Sequence, residues 1–140
     1  MPAAPVHETG AMIAGMAPDL RPETVHFCTL PCERAAALHL PEALAMVREA
    51  EGVTLILPEG AARLQGFALE QPMRQITLQV HSSLEGVGLT AAVAGALAGA
   101  GIACNMVAGY HHDHAFVPAA DAERALGVLR DLAGQAGGSP

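Results

Sequence analysis

The sequence contains no tryptophan and no lysine, and only 3% of its 140 residues are aromatic. All of its positive side-chain charge comes from 7 arginines, which face 14 acidic residues and leave a formal net charge of −7. Binding to a phosphate backbone or to an anionic membrane requires clustered basic side chains, so neither nucleic acid nor a membrane is an expected partner. Charged residues make up only 15% and hydrophobic residues 51%, which excludes a disordered chain and predicts a buried core.

Cysteine is also scarce, and the three present, Cys28, Cys32 and Cys104, cannot all pair within one chain. The first ten residues lack the basic residues and the apolar core of a secretory signal. These two features favour a reduced, cytoplasmic protein. Residues 86–110 carry no charge, but alanine and glycine dominate them and no arginine cluster flanks them, so they predict a helix followed by a strand rather than a membrane span.

Hydrophobic spacing in the first half predicts short elements of both kinds. The predicted elements are a helix over 8–18, a strand over 24–30, a loop over 31–41, a helix over 41–50, a strand over 53–59 and a helical turn over 60–66. A connector follows before the second half begins.

The second half shows clearer periodicity. Residues 74–81 alternate Ile76, Leu78 and Val80 with polar residues, which is the pattern of a strand with one buried and one wet face, and favours an antiparallel sheet. The later segments predict a helix over 88–101, a strand over 102–111, a turn at 111–113, a returning strand over 114–118 and a helix over 121–134. The tail over 135–140 is predicted to be disordered, with 137–140 beyond the second domain. The second half therefore has the order β-α-β-β-α, and the first half is a looser version of the same scheme.

The segment GVGLTA, residues 86–91, lies between the predicted strand and helix and matches a dinucleotide-binding fingerprint in spacing. Five residues separate the strand from its first glycine, and no carboxylate stands about 20 residues further on, so its context does not fit a dinucleotide site. A glycine-rich loop that opens a helix still exposes backbone N–H groups at the positive end of the helix dipole, where an amino-acid carboxylate can bind. The alternative is that these glycines only allow close packing.

Three histidines, His111, His112 and His114, flank Asp113 and raise the question of a metal site. Zinc needs about four converging ligands, whereas neighbouring side chains of an extended chain point to opposite faces. A turn at this segment is the favoured interpretation, and metal binding through these histidines is kept as the alternative.

No arrangement for catalysis stands out. Ser82 and Ser83 lack the context of a nucleophile elbow, and Cys28 near His26 fits two core-facing residues of one strand. We therefore expect neither an enzyme nor a cofactor.

Residues 86–129 resemble the ACT domain family of ligand-binding regulatory modules. The resemblance lies in the glycine-bearing loop at 86–89, the LAGAGI phrase at 97–102 that ends a helix, the hairpin over 104–117, and the Val117–Pro118 step into the last helix. It covers residues 74–133, and the first half resembles the partner module found in paired ACT proteins through HFCTLP and REAEGVTLILPEGAA. Such pairs occur in uncharacterised bacterial proteins, aspartate kinases and eukaryotic arginine sensors.

The resemblance implies an α+β, ferredoxin-like βαββαβ fold, with two ACT modules in tandem, antiparallel sheets and helices on one face. The expected division is an N-terminal half over 1–71 and an ACT domain over 72–136. The implied function is that of a non-catalytic regulator or sensor. Such a protein is expected to bind an amino acid as its small-molecule ligand and to form a homodimer. A structural or interaction module without a ligand remains a further alternative.

The resemblance also implies a ligand site. Its residues are Ser83, Leu84, Gly86, Val87, Gly88, Asn105 and Asp113. Backbone amides near Gly86 to Gly88 are expected to hold the ligand carboxylate, with Asn105 and Asp113 on its amino group. Many ACT loops have a proline before the key glycine, and LEGVG has none, so the identity of the ligand does not follow. Replacing Gly88 by valine is expected to abolish binding and to leave the fold intact.

Overall fold

The computed structural model describes residues 9–38, 40–80 and 87–137. The helices are α1 (Thr9–Gly15), α2 (Cys32–Ala37), α3 (Glu59–Leu64), α4 (Leu89–Gly99) and α5 (Ala122–Gly137). The strands are β1 (Pro18–Leu30), β2 (Ala45–Glu49), β3 (Gly52–Pro58), β4 (Met73–Leu78), β5 (Asn105–Ala108) and β6 (Asp113–Pro118). Within these ranges, no helix has both the length and the hydropathy needed to cross a membrane.

The chain forms two compact units that do not follow chain order. The discontinuous unit contains the described residues up to Pro22 together with those from Arg74 onward, and the central unit contains Glu23–Met73. Residues 18–22 of strand β1 belong to the discontinuous unit, and its residues 23–30 belong to the central unit. The sequence analysis divided the chain into two repeated modules, residues 1–71 and 72–136, and that division stays a prediction.

In the discontinuous unit, the start of β1 is followed across the sheet by β4, β6 and β5 in that order. Helices α1, α4 and α5 pack on one face, because the inward residues of β4 and β6 are apolar at every second position. The core is formed by Ile76, Leu78, Ala115 and Val117 from the strands and by Met12, Met16, Val93, Leu97 and Leu129 from the helices. Each large apolar side chain that is fully buried there contributes about 1.5–3 kcal/mol.

In the central unit, β3 pairs antiparallel with β1 on one side and with β2 on the other. Every second residue of β1 and β3 faces helices α2 and α3, which gives a smaller core. Its buried members are Cys28, Leu30, Val53, Leu55, Leu57 and Ala62. The antiparallel pairing and the placement of the helices agree with the predicted α+β, ferredoxin-like fold.

Strand β1 begins at Pro18, six residues before the predicted start at 24, and two further segments of the first half form another kind of element than predicted. Residues 41–50 were predicted to be helical, but Ala45–Glu49 form strand β2, and the N–H of Leu44 extends its pairing by donating to Ile56 O at 2.8 Å. The side chains of Met46 and Val47 are 55% and 50% exposed, so the apolar spacing builds no buried helical face and the backbone pairing with β3 decides the structure.

The segment 31–41, predicted to be a loop, contains helix α2. Its first turn closes when the N–H groups of Arg34 and Ala35 donate to the carbonyl of Pro31. A proline fits beside the start of a helix, and Glu, Arg and Ala are good helix formers. Ala35 also packs against the core of the central unit, which fixes the helix on the sheet.

In the second half, the predicted alternation along β4 holds for the buried face. Ile76, Leu78 and Val80 are buried as expected, but Thr77, expected on the wet face, is only 8% exposed. Its hydroxyl lies 3.1 Å from a ring nitrogen of His114, so a side chain from β6 covers it. Helix α5 continues to Gly137, past the predicted end at Gly134.

Candidate ligand site

The start of helix α4 provides the backbone amides that the sequence analysis singled out. Gly88 takes the N-cap position with a φ of +107°, and the first intrahelical hydrogen bond runs from the N–H of Ala92 to Gly88 O at 2.9 Å. A positive φ of this size suits glycine and strains other residues. The N–H groups of residues 89–91 therefore precede the first intrahelical donor and are oriented toward the space before the helix.

The start of α4 lacks the side chains that usually bind these N–H groups. The N-cap is a glycine and makes no side-chain capping bond, and the first turn carries no acidic residue. Helices usually satisfy these donors with Ser, Thr, Asp or Asn at the N-cap. Among the described residues, neither the N-cap nor an acidic side chain of the first turn binds these donors, and the helix dipole would stabilise an anion placed there.

Only part of the predicted loop falls within the described residues. Ser83, Leu84 and Gly86 lie outside them. Val87 and Gly88 lie inside, and the side chain of Val87 is 76% exposed.

Helix α1, which sequence reasoning did not connect with this site, reaches the loop through its first residue. The hydroxyl of Thr9 donates a hydrogen bond to Val87 O. A Cβ on Gly88 would lie 2.7 Å from Thr9 Cγ2, which is closer than real side chains approach. This close approach and the positive φ argue against the prediction that Gly88→Val leaves the fold unstrained, and that prediction stays untested. Thr9 is separated from Val87 by 78 positions, and no local pattern signals such a contact.

The histidine-rich segment forms the tip of the β5–β6 hairpin. Ala108 pairs with Asp113, and the N–H of Gly109 donates to His112 O at 2.9 Å, which leaves Tyr110 and His111 as the turn. The turn was predicted at residues 111–113. Asp113 instead begins strand β6, because its pairing with Ala108 continues the ladder.

Two histidine side chains of the hairpin bind strand β4 and its extension. His112 Nδ1 lies 3.2 Å from Val80 O, so this nitrogen carries the hydrogen and donates it. His114 Nδ1 lies 3.0 Å from Gln75 Nε2 and 3.1 Å from Thr77 Oγ1. Burial, and next the charge of His112, lower the pKa of His114, while Asp113 opposes this shift. The neutral ring fits an Nδ1 that accepts hydrogen bonds.

These contacts locate Asp113 relative to α4. The pairing of His112 with Val80 brings the start of β6 to the end of β4, from which the chain runs to α4. Asp113 shares the helix-covered face with Ala115, two positions further along β6. The half-buried Asp113 thus lies at the same end and on the same face of the sheet as the start of α4.

Asn105 lies elsewhere. It pairs with Phe116, three positions along the hairpin from the Ala108–Asp113 pair. Directly paired residues share a face, and this odd spacing turns Asn105 to the face opposite Asp113. The structure therefore places Val87, Gly88 and Asp113 at the same end of the sheet and on its helix-covered face, and Asn105 on the opposite face.

The alternative of a metal site at the hairpin finds no geometric support. In the described ranges, no three His, Cys, Asp or Glu side chains converge closely enough to hold a metal ion. The Nδ1 atoms of His112 and His114 are already engaged with protein groups.

Comparison with known families finds two matches in tandem. Residues 5–74 match an ACT domain, and residues 70–131 match a second ACT domain. No curated protein matches the chain in sequence.

Several solved structures are similar to this chain in fold. A Vibrio cholerae protein of unknown function, described as a possible transport protein, is 40% identical, with a TM-score of 0.76 over 89% of this chain and 94% of that one. An Agrobacterium tumefaciens protein is 14% identical, with a TM-score of 0.64 over 84% of this chain and 89% of its own. The regulatory subunit of aspartate kinase from Thermus flavus is 13% identical, with a TM-score of 0.57 over 84% and 96%. The last two similarities concern the fold alone.

Proposed function

Because the chain belongs to the ACT domain family, with two such domains in tandem, we propose that it is a regulatory protein that binds an amino acid. The binding site of the proposal is the start of α4 together with Asp113. The ligand carboxylate accepts hydrogen bonds from the backbone N–H groups that follow Gly88. The ligand ammonium group pairs with the carboxylate of Asp113.

The observation that carries this proposal is the start of α4, where the glycine N-cap makes no side-chain capping bond and the first turn has no acidic residue. The second support is the half-buried Asp113 at the same end and face of the sheet. A zwitterion matches this combination, since its negative end suits a helix N-terminus and its positive end suits a carboxylate. Charge-assisted hydrogen bonds of this type contribute about 1.5–3 kcal/mol each.

The remaining features of the proposal concern the whole molecule. It acts without catalysis and without a cofactor, as a homodimer in the cytoplasm, and has neither nucleic acid nor membrane as partner. The net charge of −7 supports the last point. The regulatory subunit of aspartate kinase shares this fold and supports a regulatory role.

The test is a thermal-shift panel in which each of the twenty common amino acids is added singly to the protein. We expect one amino acid or a small chemically related group to raise the unfolding temperature. Asp113→Asn should reduce this shift, because it removes the charge that pairs with the ammonium group. Asp131→Asn, on the exposed side of α5, is the matched control and should respond as the wild type does.

A panel in which no amino acid raises the unfolding temperature would contradict the proposed function. If an amino acid raises the unfolding temperature of Asp113→Asn as much as that of the wild type, Asp113 does not take part in binding.

A further inference from the structure

The side chain of His114 joins the tip of the β5–β6 hairpin to strand β4. Its Nδ1 lies 3.0 Å from Gln75 Nε2 and 3.1 Å from Thr77 Oγ1, both on β4. Its Nε2 lies close to the hairpin backbone, since a Cβ built on Gly109 would be 3.2 Å from that nitrogen. The half-buried ring therefore holds the end of the hairpin against the neighbouring strand.

These contacts require a neutral His114. The amide of Gln75 and the hydroxyl of Thr77 donate to Nδ1, which accepts hydrogen bonds only while it carries no hydrogen. Burial, and next the charge of His112, lower the pKa of His114, so the folded protein favours the neutral ring. A proton taken up at Nδ1 turns this atom into a donor that faces the amide group of Gln75.

The other charged groups around His114 do not replace these bonds. The titratable and charged side chains that its neighbours in this unit carry are Asp19 and Arg21 on β1, Arg74 on β4, Asp113 on β6, and Tyr110, His111 and His112 at the turn. The two charges of β1 pair with each other at 2.8 Å, and the arginine of β4 donates to a backbone carbonyl of β1. Asp113 attracts a protonated His114 but faces the other side of the sheet, whereas His112 lies on the same side and repels it when charged.

We propose that His114 is a pH-sensitive switch in the hairpin: a proton from solvent binds Nδ1, breaks both hydrogen bonds to β4 and loosens the hairpin tip over residues 108–113. The inference goes beyond the proposed function, because it involves no ligand and holds whether or not an amino acid binds. Protonation of His112 alone leaves its bond to Val80 O in place, since its Nδ1 already carries the donated hydrogen. We expect the loosening below about pH 6.5, the ordinary pKa of histidine, because the folded protein lowers the pKa of His114.

Amide hydrogen exchange of the full-length protein, resolved by residue with NMR between about pH 8 and pH 5, tests this switch. The reporter is the N–H of Gly109, which donates to His112 O at 2.9 Å across the turn. The reference is the N–H of Ile102, which donates to Leu97 O at 2.9 Å after α4 and lies outside the hairpin. We expect the protection of Gly109 relative to Ile102 to fall about tenfold at the acid end, as for the loss of hydrogen bonds of ordinary strength.

Three variants identify the group that titrates. His114→Asn places an amide oxygen near the position of Nδ1 and cannot take up a proton, so the protection of Gly109 should not depend on pH. Gln75→Glu replaces the amide donor by a carboxylate that pairs with a protonated ring, so protection should be kept or raised on acidification. His111→Asn is the matched control, because His111 is an exposed histidine of the same turn whose ring packs on Tyr110, and it should respond as the wild type does.

A wild type in which the protection of Gly109 relative to Ile102 stays constant over this pH range overturns the proposal. So does a loss of protection that persists in His114→Asn or that disappears in His111→Asn, because another group then titrates. If His114→Asn does not fold, Gln75→Glu decides, and a loss as large as in the wild type overturns the role of His114.

Discussion

Replacing Gly88 by alanine should destabilise the protein, although glycine-to-alanine changes at helices usually stabilise. Two features of the structure cause the reversal. Gly88 has a φ of +107°, which side chains rarely adopt, and the new Cβ would lie 2.7 Å from Thr9 Cγ2 and 3.1 Å from Thr9 Oγ1. The second contact also disturbs the hydrogen bond that Thr9 donates to Val87 O.

The magnitude follows from these two effects. The left-handed conformation costs alanine about 1–2 kcal/mol. Inserting a methyl group against packed atoms costs about 1–3 kcal/mol, and the smaller entropy of the unfolded alanine chain returns about 0.4–1 kcal/mol. The expected loss in the free energy of unfolding is therefore about 1–4.6 kcal/mol, measured by urea denaturation of the ligand-free protein.

Gly95 in the middle of α4 provides the matched control. No heavy atom lies within 4 Å of a Cβ built there, and the residue is exposed and helical. Gly95→Ala should stabilise by about 0.5–1 kcal/mol. The double variant Thr9→Ala, Gly88→Ala should recover the part of the loss that comes from overlap. If the Gly88 and Gly95 variants change stability in the same direction, the argument from φ and contact is refuted.

Three further predictions test other parts of the structure. Met12→Ala should cost about 2–5 kcal/mol of unfolding free energy in urea, since Met12 is 1% exposed; a cost near zero would contradict the place of α1 in the core. The folded state lowers the pKa of His114, mainly through burial, so unfolded protein binds more protons below about pH 6.5 and stability should fall on acidification. His114→Gln should lessen this fall, and an unchanged pH profile would refute the assignment. Iodoacetamide should modify the exposed Cys32 before Cys28 and Cys104, because burial raises the pKa of both other thiols; mass spectrometry after limited reaction reads the order.

Periodicity predicted the second half well because its elements have long, one-sided apolar patterns. Ile76 and Leu78 on β4, and Val93 and Leu97 on α4, all proved to be buried core residues. The segment 41–50 failed because its apolar spacing also suits a short strand, and pairing with β3 decided between the two. Edge strands with exposed side chains on both faces carry little periodic signal.

The candidate site also has features that the sequence predicted and features that it did not. The glycine-led start of α4 was predictable, because a glycine before an apolar helix is a local signal. The contact of Thr9 with Gly88 and the separation of Asn105 from Asp113 were not. Both depend on how distant segments pack and on strand register, where a shift of one residue exchanges the two faces of a sheet.

Amide chemical shifts in a nitrogen-15 NMR titration show whether backbone amides at the start of α4 recognise the ligand. The titrant is the amino acid that most raises the unfolding temperature. We expect the largest shifts at the N–H groups of Gly88, Leu89 and Thr90, and smaller shifts at Asp113. Saturable shifts confined to the outer face near Asn105, or to the central unit, would contradict it.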